Sequence, residues 1–159
     1  MTARLNYFQQ SPEVAAKYRD FSNSLKDRSI PEKLKDLVFL RASQINGCAF
    51  CVDMHVKEAK IHGERELRLH HVAVWRESPL FDERERAALE WTEIVTRLPP
   101  HGISDESYAQ MRKVYSEQEI TDITFLVIAI NGWNRLSIAF SAVPGSADAV
   151  YGLDKAGLN

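Results

Sequence analysis

The stretch LVFLRASQINGCAFCVDMH, residues 37–55, decides how the chain is read. Its first half sets apolar side chains at Leu37, Val38, Phe39, Leu40 and Ile45, the pattern of a helix that opens at Pro31. Asn46-Gly47 then supplies residues that tolerate a left-handed helix end, and Cys48 starts a further helix ending near His62-Gly63. Two helices in a hairpin, with a Cys-x-x-Cys at the turn, follow from these spacings.

Outward from the hairpin, helix signals recur and strand signals do not. Ser11-Pro12-Glu13 precedes a stripe of Val14, Tyr18, Phe21 and Leu25, and a short helical segment is expected around Glu64 to Val74. Asp82-x-x-Glu85 and Ser116-x-x-Glu119 each have the form of a capping box. The first of these helices runs to Leu98 and is stopped by Pro99-Pro100. Ser104 caps a short helix, the last long helix spans Glu117 to about Ala142, and Pro144-Gly145 should end regular structure. The expectation is an all-α single domain over residues 1–159 with about seven helices. The helix from Glu117 is apolar almost all round, through Ile123, Phe125, Leu126, Val127, Ile128 and Ile130, which calls for burial against several helices or another subunit. A homo-oligomer is expected.

An apolar content of 45% and a charged content of 26% are ordinary for a water-soluble domain. The net charge of -2 comes from intermixed signs, leaving no basic face for nucleic acid or an anionic membrane. The N-terminus lacks the apolar core of a signal peptide, and Phe125 to Ile130 is too short to span a bilayer, so a cytoplasmic location is expected. Both cysteines fall in one tetrapeptide, which rules out a disulfide framework and leaves local redox or metal chemistry.

On a helix, Cys48, Cys51 and His55 fall within an arc of roughly 60°, so two thiols and an imidazole share a face. Cys51 and His55 are neighbours one turn apart, which makes His55 a base for the Cys51 thiol. The helix N-terminus favours a thiolate, and by itself it would favour Cys48 as nucleophile; proximity to His55 favours Cys51. Asp36, about 15 Å down the antiparallel neighbour, is expected level with His55, giving a relay from Asp36 through His55 to Cys51. Zinc would find three ligands in Cys48, Cys51 and His55 where a structural site wants four. His62, His70, His71 and His101 read as solvated or locally bonded, and Trp133-Asn134-Arg135 as packing.

Residues 37–55 resemble the signature of the alkylhydroperoxidase and carboxymuconolactone decarboxylase family. The resemblance continues through Trp75 to Phe81 and on to Ile130-Asn131-Gly132-Trp133-Asn134-Arg135, covering the chain from about residue 30 to 140. It implies that the second cysteine becomes a sulfenic acid, that the first resolves it as a disulfide, and that a Glu and a His relay the proton. Those roles carry to Cys51, Cys48 and His55. It further implies a small hydroperoxide substrate, an external dithiol reductant, no bound cofactor or metal, and dimers assembling into hexamers. Two positions depart from the pattern: Asp36 stands where the family relay has a Glu, and Phe50 where the best-characterised branch has a second His. Two alternatives remain, lactone decarboxylation, which needs no second cysteine, and a non-catalytic binding oligomer whose thiols act as a redox switch.

Overall fold

Several helix starts in this chain are set by side chains that accept the first unpaired backbone N–H groups. Asp82 accepts from the Glu85 amide while the Glu85 carboxylate accepts from the Asp82 amide, and Ser116 and Glu119 repeat the exchange. Ser104 caps its helix through the Ser107 amide. The structure, a computed structural model, describes residues 2–26 and 28–158. Among them the order is α1 (Tyr7–Gln10), α2 (Pro12–Ser24), α3 (Glu32–Asn46), α4 (Ala49–Ile61), α5 (Glu66–His71), a 3-10 turn (Val72–Glu77), α6 (Glu83–Arg97), α7 (Asp105–Val114), α8 (Glu117–Ala139), α9 (Asp148–Tyr151) and a second 3-10 turn (Leu153–Ala156), with no strand.

The all-helical expectation holds, with nine α-helices among the described residues where the sequence suggested about seven. The two extra helices, α1 and α9, are single turns that lack a long apolar stripe to announce them. Regular structure does not end at Pro144-Gly145. The chain turns back there, and the Gly145 amide donates to Asp53 on α4 at 2.9 Å. Leu153 and Ala156 of the second 3-10 turn are buried. Val14, expected in the apolar stripe of α2, is 69% exposed, because α2 makes its contacts through Tyr18, Phe21 and the Leu25 that follows it.

The middle of the fold is α3, and its apolar residues divide between two cores. Leu34 and Val38 join Ala88 and Trp91 of α6, Met111 of α7, and Ile120, Ile123, Leu126 and Val127 of α8. Leu37 and Leu40 join Ala59 of α4, Leu69, Val72, Trp75, Phe81 and Leu89. Each fully buried aliphatic side chain contributes about 1.5–3 kcal/mol, so burying α3 on two sides ties the hairpin firmly to the rest. Along α8, Ile120, Ile123, Leu126, Val127 and Ile130 are buried, whereas Phe125 and Ile128 remain open to solvent.

A buried charge locks this arrangement. Glu93 of α6 accepts from Arg41 of α3, from the Trp75 indole and from Arg76 and Arg97, each at 2.8 Å. Burial alone would raise its carboxyl, but the indole and arginine donors outweigh that and hold it at about 2. No described helix is long and apolar enough to cross a membrane.

Candidate active site

The turn between α3 and α4 is built to place Cys48. Gly47 adopts φ 69°, a left-handed conformation that a side chain would strain. The Cys48 amide returns to the Ser43 carbonyl at 3.0 Å, which closes the end of α3. Asn46 is held from across the fold: its side-chain amide donates to Asn131 at 3.0 Å and to Asn134 at 2.8 Å. Asn134 is fully buried and donates in turn to Ser43 at 3.0 Å, so α8 grips the last turn of α3 by polar contacts that cost little once paired. Of the residues beside Asn134, Trp133 packs with its ring centroid 4.7 Å from that of Tyr18, whereas Arg135 is exposed and donates to Asn131.

Cys48 is the N-cap of α4, where its sulfur accepts from the Cys51 amide at 3.3 Å. Cys48 and Cys51 form a disulfide with a Cα separation of 5.3 Å. Their residues are 1% and 4% exposed, so the pair is shielded from bulk solvent. One turn further, His55 packs against the Phe39 ring at 5.1 Å between centroids, and its Nδ1 faces Glu58 Oε2 at 2.7 Å. With Nδ1 donating to that carboxylate, Nε2 is left as the ring's acceptor. Burial pushes the Glu58 carboxyl up, but the hydrogen bond and charge of His55 outweigh it and hold Glu58 below its ordinary range.

Asp36 is not the partner of His55. Its Oδ2 lies 2.8 Å from Nδ1 of His62 at the end of α4. Register explains the difference: Asp36 is ten residues below Asn46 on α3, and the same depth on α4, counted from Ala49, reaches Ala59 rather than His55. Burial drives the Asp36 carboxyl up to about 6, against the hydrogen bond and charge of His62, which favour its ionised form. Glu58 and His62 are the site residues that sequence reasoning missed. Their signal was present, because Cys48, Cys51, His55, Glu58 and His62 recur at intervals of three, four, three and four, one continuous face of a helix.

While Cys48 and Cys51 are joined as a disulfide they offer no thiolate to a metal. Glu32, Asp36 and His62 bring potential ligand atoms within 4.8 Å of one another. They are occupied as ion pairs, Asp36 with His62 and Glu32 with Lys35 at 3.2 Å. A cavity of about 510 Å³ lies away from the thiols, among Trp75, Arg86, Trp91 and Met111. A second, of about 350 Å³, touches α4 at Val52 and Val56, on the side of the helix turned toward Leu69 and Leu158.

The model of the carboxymuconolactone decarboxylase family matches residues 12–93, from α2 through most of α6 and including the whole thiol hairpin. The chain belongs to this family. An uncharacterised Bacillus subtilis protein, YdfG, is 37% identical over 139 residues, which is 87% of this chain and 95% of that protein. A crystal structure from Agrobacterium tumefaciens, of a protein of unknown function described as the putative antioxidant defence protein AhpD, superimposes with a TM-score of 0.87 at 40% identity, covering 90% of this chain and 98% of that one. The debrominase Bmp8 has the same fold, with a TM-score of 0.78 at 20% identity over 94% of this chain and 80% of that one. The family fold thus supports more than one chemistry.

Proposed function

We propose that the protein is a thiol peroxidase in which Cys51 attacks a small hydroperoxide and Cys48 resolves the product. The observation that carries this reading is a shielded Cys48–Cys51 disulfide one helical turn from an imidazole that Glu58 holds at 2.7 Å. His55 takes the Cys51 proton, and the thiolate attacks the terminal peroxide oxygen. The O–O bond breaks, the departing alkoxide takes the proton back from His55, and Cys51 becomes a sulfenic acid. Cys48 then attacks the Cys51 sulfur, water leaves, and the disulfide forms. An external dithiol reduces it by exchange, becoming a disulfide itself. No further cofactor is needed for this balance.

The low exposure of both sulfurs favours a small substrate over a bulky one. Homo-oligomer formation belongs to the same proposal and is supported by Phe125 and Ile128, which stand exposed on α8. The deciding experiment is turnover of an alkyl hydroperoxide in the presence of a dithiol, with enzyme well below the substrate concentration. Many equivalents of peroxide consumed, and none by Cys51→Ser, is the expected result. Consumption that stops at one equivalent with dithiol in excess would instead identify a redox switch.

A further inference from the structure

The last turn of α3 is held by a different kind of contact from the first half of that helix. Leu34 and Val38 share an apolar core with Ile123, Leu126 and Val127 of α8. Toward the thiols, hydrogen bonds to α8 take over. Asn134, with no exposed surface, accepts a hydrogen bond from Asn46 at 2.8 Å and donates one to the Ser43 hydroxyl at 3.0 Å. The Asn46 nitrogen also donates to Asn131 at 3.0 Å, and the Asn131 nitrogen donates to Thr96 of α6 at 3.1 Å and to the Val127 carbonyl at 2.9 Å. The helices α3, α6 and α8 are thereby tied together at the point where α3 ends.

Cys48 follows directly from that point. Cys51 lies inside α4 and is placed by that helix, whereas Cys48 stands at its edge with an extended backbone, φ -85° and ψ 92°. Cys48 is bonded to both helices. Its carbonyl accepts from the Val52 amide at 2.9 Å, and its amide donates to the carbonyl of Ser43 at 3.0 Å, the same residue whose hydroxyl Asn134 holds. Where the Cys48 sulfur stands relative to Cys51 therefore depends on where the end of α3 is fixed.

We propose that Asn134 and Asn46 are positioning residues for Cys48, fixing the end of α3 so that the pair of thiols favours the closed disulfide over the open dithiol. This deepens the thiol reading given above, in which Cys48 resolves the oxidised Cys51. Both carboxamides act through the backbone of residues 43–48 and not on the sulfurs themselves. Apolar contact is non-directional and lets a helix end slide, but a carboxamide that accepts one bond and donates another has a set place and orientation. Such placement raises the effective concentration of one thiol at the other. That concentration governs how fast Cys48 closes onto an oxidised Cys51 and how strongly the closed pair resists reduction. Asparagine suits both positions because it can donate and accept without leaving a buried ion to be paired.

The test reads the equilibrium of the thiol pair and uses no peroxide, so it stands whether or not the protein proves to be a peroxidase. Protein is equilibrated with reduced and oxidised glutathione at fixed pH, where closing one Cys48–Cys51 bond turns one glutathione disulfide into two thiols. The oxidised fraction is counted by alkylation and mass spectrometry. In Asn134→Leu, which nearly keeps the volume and removes both bonds, the equilibrium constant for closure should fall by about tenfold, a rise in reduction potential of about 30 mV. Asn46→Ala breaks the same link at a partly exposed position and should shift the potential in the same direction; it decides the matter if Asn134→Leu does not fold. A residue that only stabilises the fold would lower the thermal transitions of the oxidised and reduced forms alike and leave the potential in place. An unchanged potential in either folded variant therefore overturns the proposal. A wild-type pair that stays a dithiol at every glutathione ratio would instead remove the thiol reading on which the proposal rests.

Discussion

Oε2 of Glu58 lies 2.7 Å from Nδ1 of His55, three residues earlier on the same helix, so the base and the group that orients it move as one rigid piece. Because the contact is local, it does not depend on how α3 and α4 cross. Glu58→Gln keeps the shape and removes the charge. The rate of Cys51 oxidation by peroxide should fall by about tenfold, less than the hundredfold or more expected for loss of the base itself in His55→Asn. Stopped-flow oxidation of the reduced protein measures both, and an unchanged rate in Glu58→Gln would show that the carboxylate is idle.

The two cysteines should part company when each is replaced. In Cys48→Ser, one equivalent of peroxide should leave Cys51 as a sulfenic acid that dimedone traps, since no resolving thiol remains. In Cys51→Ser, Cys48 should stay largely reduced, because it caps the helix two turns from His55. Mass spectrometry of the adducts reads both variants. Adduct on Cys48 at the wild-type rate would reverse the assignment and restore the helix N-terminus as the stronger influence.

Asp36 should leave a signature in the dependence of stability on pH. Its carboxyl is at about 6 in the folded protein against an ordinary 3.8, so the folded state binds the extra proton between those values. Stability from this group is complete below the unfolded value and is lost as pH rises through 6. Over those 2.2 units (6 minus 3.8) the loss is about 3 kcal/mol. Asp36→Asn cannot ionise and should escape it, gaining on the wild type as pH rises from 4 to 7. Urea unfolding at several pH values tests this, and parallel curves for the two proteins would remove the burial cost assigned to Asp36.

Gly132 is a glycine for lack of room. A methyl group added there would meet the Tyr18 hydroxyl oxygen at 1.9 Å and its ring carbon at 2.6 Å. The tyrosine cannot easily yield, because its hydroxyl donates to the Ala129 carbonyl at 2.7 Å. Gly132→Ala should therefore destabilise by about 1–3 kcal/mol despite its favourable helix propensity. Thermal unfolding monitored by circular dichroism gives the shift, and a variant as stable as wild type would mean that α2 moves away at little cost.

Much of this protein is local and was legible along the chain. The two capping boxes, the left-handed Gly47, the stop at Pro99-Pro100 and the shared face of Cys51 and His55 all follow from residues within four positions of one another, where helix geometry alone decides which side chains meet. By the same rule Glu58 could have been found, had the periodicity been followed past His55. What sequence could not supply was register between elements. Asp36 pairs with His62, about two turns beyond His55, because depth along a hairpin depends on where each helix begins after the turn and on how the two helices pack. The grip of Asn134 on Asn46 and the return of the C-terminal segment onto α4 through Gly145 likewise join residues about 90 positions apart. Such contacts are selected by the packing of whole helices around α3, and no short-range pattern reports them.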